Sequence, residues 1–135
     1  DETAVRDIAE LALAYGLDAL IVSNTTLQRP PHLTSDNREE AGGLSGQPLF
    51  QISTHVLRLF AEALAGRLPL IGAGGVENGL TALAKIKAGA SAVQLYSAMV
   101  FEGPGLVARM LDELDSLLMA EGFDSVAEAV GTERA

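Results

Sequence analysis

Four short segments carry the residue types from which a binding site could be built. Gly72-Ala73-Gly74-Gly75-Val76 and Tyr96-Ser97-Ala98 each close an apolar run and precede a helical pattern. Consecutive glycines let backbone N–H groups approach an anion closely, and a following helix start adds a favourable dipole. Two such turns on successive strands make a phosphate cup; the other use of a Gly-Gly turn is tight packing against a strand end. A third cluster, Gly42-Gly43-Leu44-Ser45-Gly46-Gln47-Pro48, could bring backbone donors to a ligand from the side or make two tight turns with no ligand. Ser23-Asn24-Thr25-Thr26 closes an earlier run. A carboxamide offers donor and acceptor together, suited to an amide or carboxylate substrate, although an Asx or Ser/Thr turn uses the same residues. No segment presents a nucleophile beside a base. His32 and His55 are expected on the surface without a role.

These segments need elements to hold them. Apolar runs at residues 19–23, 68–72 and 92–96 alternate with helical stripes, and their continuous apolarity suits parallel strands covered on both faces. Val5, Ile8, Ala12 and Tyr15 predict a first helix stopped by Gly16. Val56, Leu57, Phe60, Ala63 and Leu64 predict a second, with Ser53 or Thr54 as its cap. Leu80, Leu83, Ala84 and Ile86 predict a third, closing at Gly89. Pro104 suits the first turn of a fourth, whose stripe is Leu106, Val107, Met110, Leu111, Leu114, Leu117 and Leu118. A short helix is expected over residues 125–130. The order is α-β-α-β-α-β-α, with loops concentrated after the strands' C-terminal ends, where α/β sheets and barrels place their sites. The loop over residues 24–52 is long enough to act as a lid or binding loop, and its polar stretch, residues 29–40, is of a kind that is often mobile or merely solvated.

Composition narrows the function classes. The 135 residues carry 9 Lys plus Arg against 18 Asp plus Glu, a net charge of −9, with 48 % hydrophobic residues and no Cys. The apolar fraction supports a core, and the acidic balance with few aromatics argues against nucleic acid. Without Cys and with two His, neither thiolate chemistry nor a metal site is expected. The run at residues 68–83 is broken by Pro69 and glycines and does not suit a membrane-spanning helix. Asp1-Glu2-Thr3 does not open a signal peptide.

Taken in order, Ser23-Asn24-Thr25-Thr26-Leu27-Gln28-Arg29, Gly42-Gly43-Leu44-Ser45-Gly46-Gln47-Pro48-Leu49, Gly72-Ala73-Gly74-Gly75-Val76 and Ala88-Gly89-Ala90-Ser91-Ala92-Val93-Gln94-Leu95-Tyr96-Ser97 resemble the C-terminal part of class 2, quinone-dependent dihydroorotate dehydrogenase. Glu102-Gly103-Pro104-Gly105-Leu106 continues the match, which runs from about Ala19 to Leu118. The Leu-Tyr-Ser ending and this Glu-Gly-Pro-Gly look like class 2 rather than class 1. The resemblance implies an α/β fold, the C-terminal part of a (β/α)8 TIM barrel comprising about strands 6 to 8, with residues 1–135 as one portion of it and residues 24–52 as an active-site loop. It implies an FMN flavoprotein oxidoreductase of pyrimidine biosynthesis that oxidises dihydroorotate to orotate and reduces a quinone, associated peripherally with a membrane, at the cytoplasmic face of the inner membrane if bacterial.

Carried over by position, Ser23, Gly46, Gly75, Tyr96 and Ser97 would contact FMN, with Gly74 beside them, and Asn24 and Thr25 would bond the orotate ring. No catalytic residue is expected in this sequence. The family's serine base, its strand-end lysine, most substrate asparagines and the helical pair of the quinone tunnel would lie upstream in a longer protein. Two alternatives remain: a class 1 enzyme or another FMN- or phosphate-binding barrel, and a non-catalytic phosphate-binding half-barrel. With Ile21, Leu70 and Val93 expected to face a missing barrel interior, the chain alone should self-associate or need the rest of the barrel.

Overall fold

The computed structural model describes residues 1–31 and 33–133, so the expectation for His32 lies outside the described residues. The helix α1 (Glu2–Ala14) leads into β1 (Leu20–Val22), and α2 (Phe50–Leu64) crosses over to β2 (Leu70–Ala73). Then α3 (Gly79–Lys87) returns the chain to β3 (Ala92–Gln94), followed by α4 (Ser97–Glu102), α5 (Leu106–Glu121) and α6 (Val126–Ala129). The strands form a parallel sheet in the order β1-β2-β3. Such an arc of strands with crossover helices on its outer face fits the expected barrel segment.

Register decides which strand residues meet the helices. Leu20 lies beside Leu70, Val22 beside Gly72, and Gly72 beside Val93; the intervening row is Ile21, Ile71 and Ala92. Side chains alternate faces along a strand, so the two rows point oppositely. Leu70 is only 2 % exposed and belongs to a core of Val5, Ala9, Ala12, Val22, Leu57, Phe60 and Leu64, where α1, α2 and the sheet meet. Val93 packs against Leu83 and Ile86 of α3 and Leu114 and Leu118 of α5. Of the three residues expected to face the barrel interior, only Ile21 does, at 58 % exposed. Coverage on both faces therefore fails for the outer strands: one side of β1 and β3 is open.

The helices form largely where their stripes place them, with narrower buried faces. In α1 the Asp1 carboxylate accepts from the Ala4 N–H at 2.8 Å and so caps the helix. This helix rests on α2, and its buried line is Val5, Ala9 and Ala12, leaving Ile8 and Tyr15 exposed. A 3-10 turn over Gln47–Leu49 winds straight into α2. Ser53 and Thr54 are therefore inside the first turn and not at the cap, their hydroxyls reaching back to the Phe50 carbonyl at 3.1 and 2.6 Å. The fixed φ of Pro48 suits this earlier start.

Asn78 and Thr81 form a reciprocal capping box at the start of α3. A Cβ at Gly79 would lie 2.5 Å from the Glu113 Cβ, so α3 and α5 cross at glycine distance. Leu80, expected in the α3 stripe, is exposed, as are Val107 and Leu111 of α5; the buried lines are Ala82, Leu83 and Ile86, and Leu106, Met110, Leu114 and Leu118. Pro104 precedes the α5 cap, Gly105, because α4 intervenes. The chain after α6 closes the C-terminal end of α3: the N–H groups of Gly131 and Glu133 donate to the Ile86 and Lys87 carbonyls, each at 3.0 Å. Lys87 pairs with Glu121 and Glu133 at 2.8 and 2.9 Å, and these hydrogen bonds raise its pKa.

The open face carries a prediction. Burying an aliphatic side chain such as Ile21 is worth ~1.5 to 3 kcal/mol, and β1 and β3 are sheet edges with unpaired backbone groups. The chain on its own is expected to associate through this face, giving a mass above 14.0 kDa by light scattering at micromolar concentration. A monodisperse monomer with a cooperative melt would count against this.

Candidate functional site

The C-terminal ends of all three strands open on one cleft of about 590 Å³. Ser23, Asn24 and Thr25 line it after β1, residues 73–77 from the last residue of β2 onward, and residues 94–98 with Phe101 from the last residue of β3 onward; residues 45–49 close its side. All eight residues singled out as binding positions therefore share one wall-to-wall surface: Ser23, Asn24, Thr25, Gly46, Gly74, Gly75, Tyr96 and Ser97. The strands bring together segments up to about seventy positions apart, as parallel crossover topology requires.

The connection from β1 to α2 is more ordered than its polarity suggests. Thr26 and Leu44 form an antiparallel bridge, exchanging N–H···O bonds of 3.2 and 2.8 Å. Arg29 gathers the rest: its Nε donates to the Arg38 carbonyl at 2.7 Å, and its Nη2 to those of Glu40 and Gly42 at 2.9 and 2.8 Å. Its Nη1 lies 3.2 to 3.4 Å from the carbonyls of residues 26–28. Sequence reasoning missed this role, since a single Arg in a polar stretch has no pattern to mark it. The bridge sets Gly43 against Thr25 so closely that a Cβ there would overlap the Thr25 side chain. Beyond it, the Ser97 hydroxyl donates to that of Ser45 at 3.1 Å, joining the third glycine cluster to the end of β3.

At the β1 end, the Asn24 Oδ1 accepts from the Thr25 N–H at 2.7 Å. The carboxamide is thus oriented locally, and both it and Thr25 are exposed at the cleft. Tyr96 is 77 % exposed. His55 is exposed on α2, away from the cleft lining. Among the described residues no cluster of His, Cys, Asp or Glu could hold a metal ion.

The β2 turn supplies the backbone donors. Gly74 and Gly75 have φ of 92° and 76°, a region other residues rarely adopt. Among the described residues the N–H groups of Gly74, Gly75 and Val76, and those of Tyr96, Ser97 and Ala98, have no protein acceptor. Of the two uses open to a Gly-Gly turn, tight packing is visible directly. A Cβ on Gly75 would lie 2.5 to 2.7 Å from Phe50 atoms, and one on Gly74 would lie 2.8 Å from Leu49. Both missing side chains point at the start of α2, so the turn packs tightly while its N–H groups stay free.

Beneath the turn lies a group the sequence did not announce. Lys85 is fully buried; its Nζ donates to the Ser53 Oγ at 2.6 Å and the Ala73 carbonyl at 3.1 Å, and sits 5.4 Å from the Phe50 ring centroid. Burial, with the nearby Arg58 charge adding to it, lowers its pKa to about 8. At neutral pH the ammonium form therefore still predominates.

A family profile for dihydroorotate dehydrogenase matches residues 1–118. Relatives named dihydroorotate dehydrogenase (quinone) include one from Xanthobacter autotrophicus, 51 % identical over 98 % of this chain and 37 % of its own length. Another, from Cereibacter sphaeroides, is 58 % identical over 96 % of this chain and 36 % of its own length. A mitochondrial relative from Mus musculus is 49 % identical over 94 % of this chain and 32 % of its own. The chain spans about a third of the length of these relatives. The crystal structure of an Eimeria tenella DHODH in complex with ferulenol superposes with a TM-score of 0.93 at 44 % identity, covering 97 % of this chain and 35 % of that one. Its fold is thus a segment of the same (β/α)8 barrel, and the chain belongs to the dihydroorotate dehydrogenase family.

Proposed function

We propose that this chain provides one side of the flavin and substrate site of a quinone-dependent dihydroorotate dehydrogenase. The observation that carries the reading is the meeting of three strand ends and the glycine cluster on one cleft, in a chain whose relatives bear that name. Enzymes of this family are flavin-dependent in general, and FMN is the flavin we assign. The cleft suits its phosphate: peptide N–H groups without protein acceptors line it, and a cation lies behind them. Ser23, Gly46, Gly74, Gly75, Tyr96 and Ser97 would hold the flavin, and Asn24 and Thr25 the edge of dihydroorotate or orotate.

Oxidation of dihydroorotate to orotate removes two electrons and two protons, and FMN when bound supplies a carrier that takes the electron pair and delivers it to a quinone. The residues here bind and orient. The Thr25 N–H holds the Asn24 Oδ1, leaving the amide NH2 to donate to a ring carbonyl or carboxylate. The Ser45–Ser97 contact keeps the side wall against the β3 end. We assign proton abstraction to none of these residues, and place the base and the quinone path in the remainder of a longer, peripherally membrane-associated protein. No helix among the described residues is long and apolar enough to cross a membrane.

Three outcomes test this reading. The 135-residue chain alone should not oxidise dihydroorotate, since general base catalysis contributes ~10² to 10⁴-fold and the base is assigned elsewhere; turnover by the purified chain would overturn the assignment. In the full-length protein, Asn24→Ala should leave flavin content unchanged and lower kcat/KM for dihydroorotate ~5-fold or more, as expected for a lost hydrogen bond of ~1 kcal/mol; unchanged kinetics would remove Asn24 from the substrate site. Gly75→Ala in the same protein should lower flavin content and also destabilise the apo form by ~1 to 3 kcal/mol through its clash with Phe50, read by flavin absorbance and thermal unfolding.

A further inference from the structure

Lys85 is an anomaly: a fully buried ammonium on a helix whose neighbouring Lys87 has ordinary carboxylate partners. No carboxylate is recorded within ion-pair distance of Lys85 among the described residues. Its partners are a hydroxyl and a carbonyl, both next to the cleft. A buried cation without an anion is costly, and an apolar side chain of similar length would avoid that cost.

The partners suggest a use. The Ala73 carbonyl accepts from the Lys85 Nζ at 3.1 Å. Ser53, having accepted from Lys85, has one proton to give, and the carbonyls of Gly74 and Phe50 lie 2.9 and 3.1 Å from its Oγ, the Gly74 oxygen being the nearer. Two successive peptide groups thus direct their oxygens inward, at Lys85 and at Ser53. In a trans peptide the N–H points opposite to the C=O of the same plane. The N–H of Gly74 shares its plane with the Ala73 carbonyl, and the N–H of Gly75 with the Gly74 carbonyl. Both N–H groups are therefore turned away from Lys85, both lack a protein acceptor among the described residues, and both residues line the cleft.

We propose that Lys85, acting in part through Ser53, is a positioning residue that aims the Gly74 and Gly75 N–H groups at an anionic group in the cleft and supplies the positive charge behind them. The inference rests on the reading of the cleft as an FMN site and makes the phosphate the anion concerned. The alternative is that the lysine only fills space and satisfies two oxygens. That role would support any flavin equally, whereas the proposed one favours a phosphorylated flavin over its neutral counterpart.

The experiment compares FMN with riboflavin, which lacks the phosphate, by fluorescence titration of the full-length apo protein. For the unaltered protein FMN should bind more tightly. Lys85→Met should weaken FMN ~10-fold or more, about 1.4 kcal/mol, while changing riboflavin affinity less than ~2-fold. Ser53→Ala, which removes the relay to Gly74 but keeps the ammonium, should narrow the FMN preference in the same direction by ~3-fold, and it decides the matter if Lys85→Met does not fold. Variants that lose both flavins in equal proportion, or keep the original preference, would overturn the positioning role. An unaltered full-length protein that binds neither flavin would instead overturn the reading of the cleft.

Discussion

The structure depends on a shortage of space around β2. Its residues run between α2 and α3, and three glycines mark where a side chain would be crowded. A Cβ on Gly72 would come within 3.1 to 3.2 Å of Ala90, Leu57 and Lys85, and on Gly74 and Gly75 it would press on Leu49, Ser53 and Phe50. Interiors at crystal-like density give way little, so larger residues at Gly74 or Gly75 would push the first turn of α2 off the sheet. That turn carries the side wall of the cleft, because the 3-10 segment Gln47–Leu49 runs directly into it. Close packing behind the strand and an open surface in front of it are thus two sides of one arrangement.

A second layer of order comes from polar groups that no water needs to reach. Lys85, Ser53 and Thr54 are buried, yet no buried side-chain nitrogen or oxygen among the described residues lacks a partner. Ser53 is the junction: it contacts Lys85 on α3, Gly74 after β2 and Phe50 on its own helix. Such a junction ties two helices to a turn through directional bonds, which apolar packing alone would leave free to slide.

The order of elements and the meeting of the glycine turns could be read from the amino acids, because each rests on a local signal: an apolar run, a stripe, a turn residue. What could not be read depended on partners. Leu70 and Val93 were expected on the wrong face since a run with apolar residues at every position has no alternation, and register alone separates Ile71 from its neighbours. Ser53 and Thr54 look like caps until a 3-10 turn starts the helix before them. The short helix α4 buries no residue and so leaves no stripe. Lys85 and Lys87 are two positions apart in an ordinary surface-looking sequence, Ala84-Lys85-Ile86-Lys87, and the roughly 200° between them on the helix puts one in the core and the other among carboxylates. That the candidate positions would meet on one surface was legible as a set, while the packing reason for Gly74 and Gly75 was visible only once Leu49 and Phe50 stood behind them.

The Arg29 clasp has a consequence for how this part of the chain can change over evolutionary time. One guanidinium collects the carbonyls of Arg38, Glu40 and Gly42 and lies against those of residues 26–28, so the two stems of the excursion are pinned at its base. Pro30 and Pro31 share a groove with Gln47, Pro48 and Phe50 beside the side wall of the cleft, so the part of the excursion that lies beyond both the clasp and these prolines is residues 33–37. Doubling the length of such a tethered excursion costs only ~0.6 kcal/mol in closure entropy. The tip is therefore free to lengthen, shorten or diversify between lineages, while the arginine and the backbone oxygens it holds keep the stems in place.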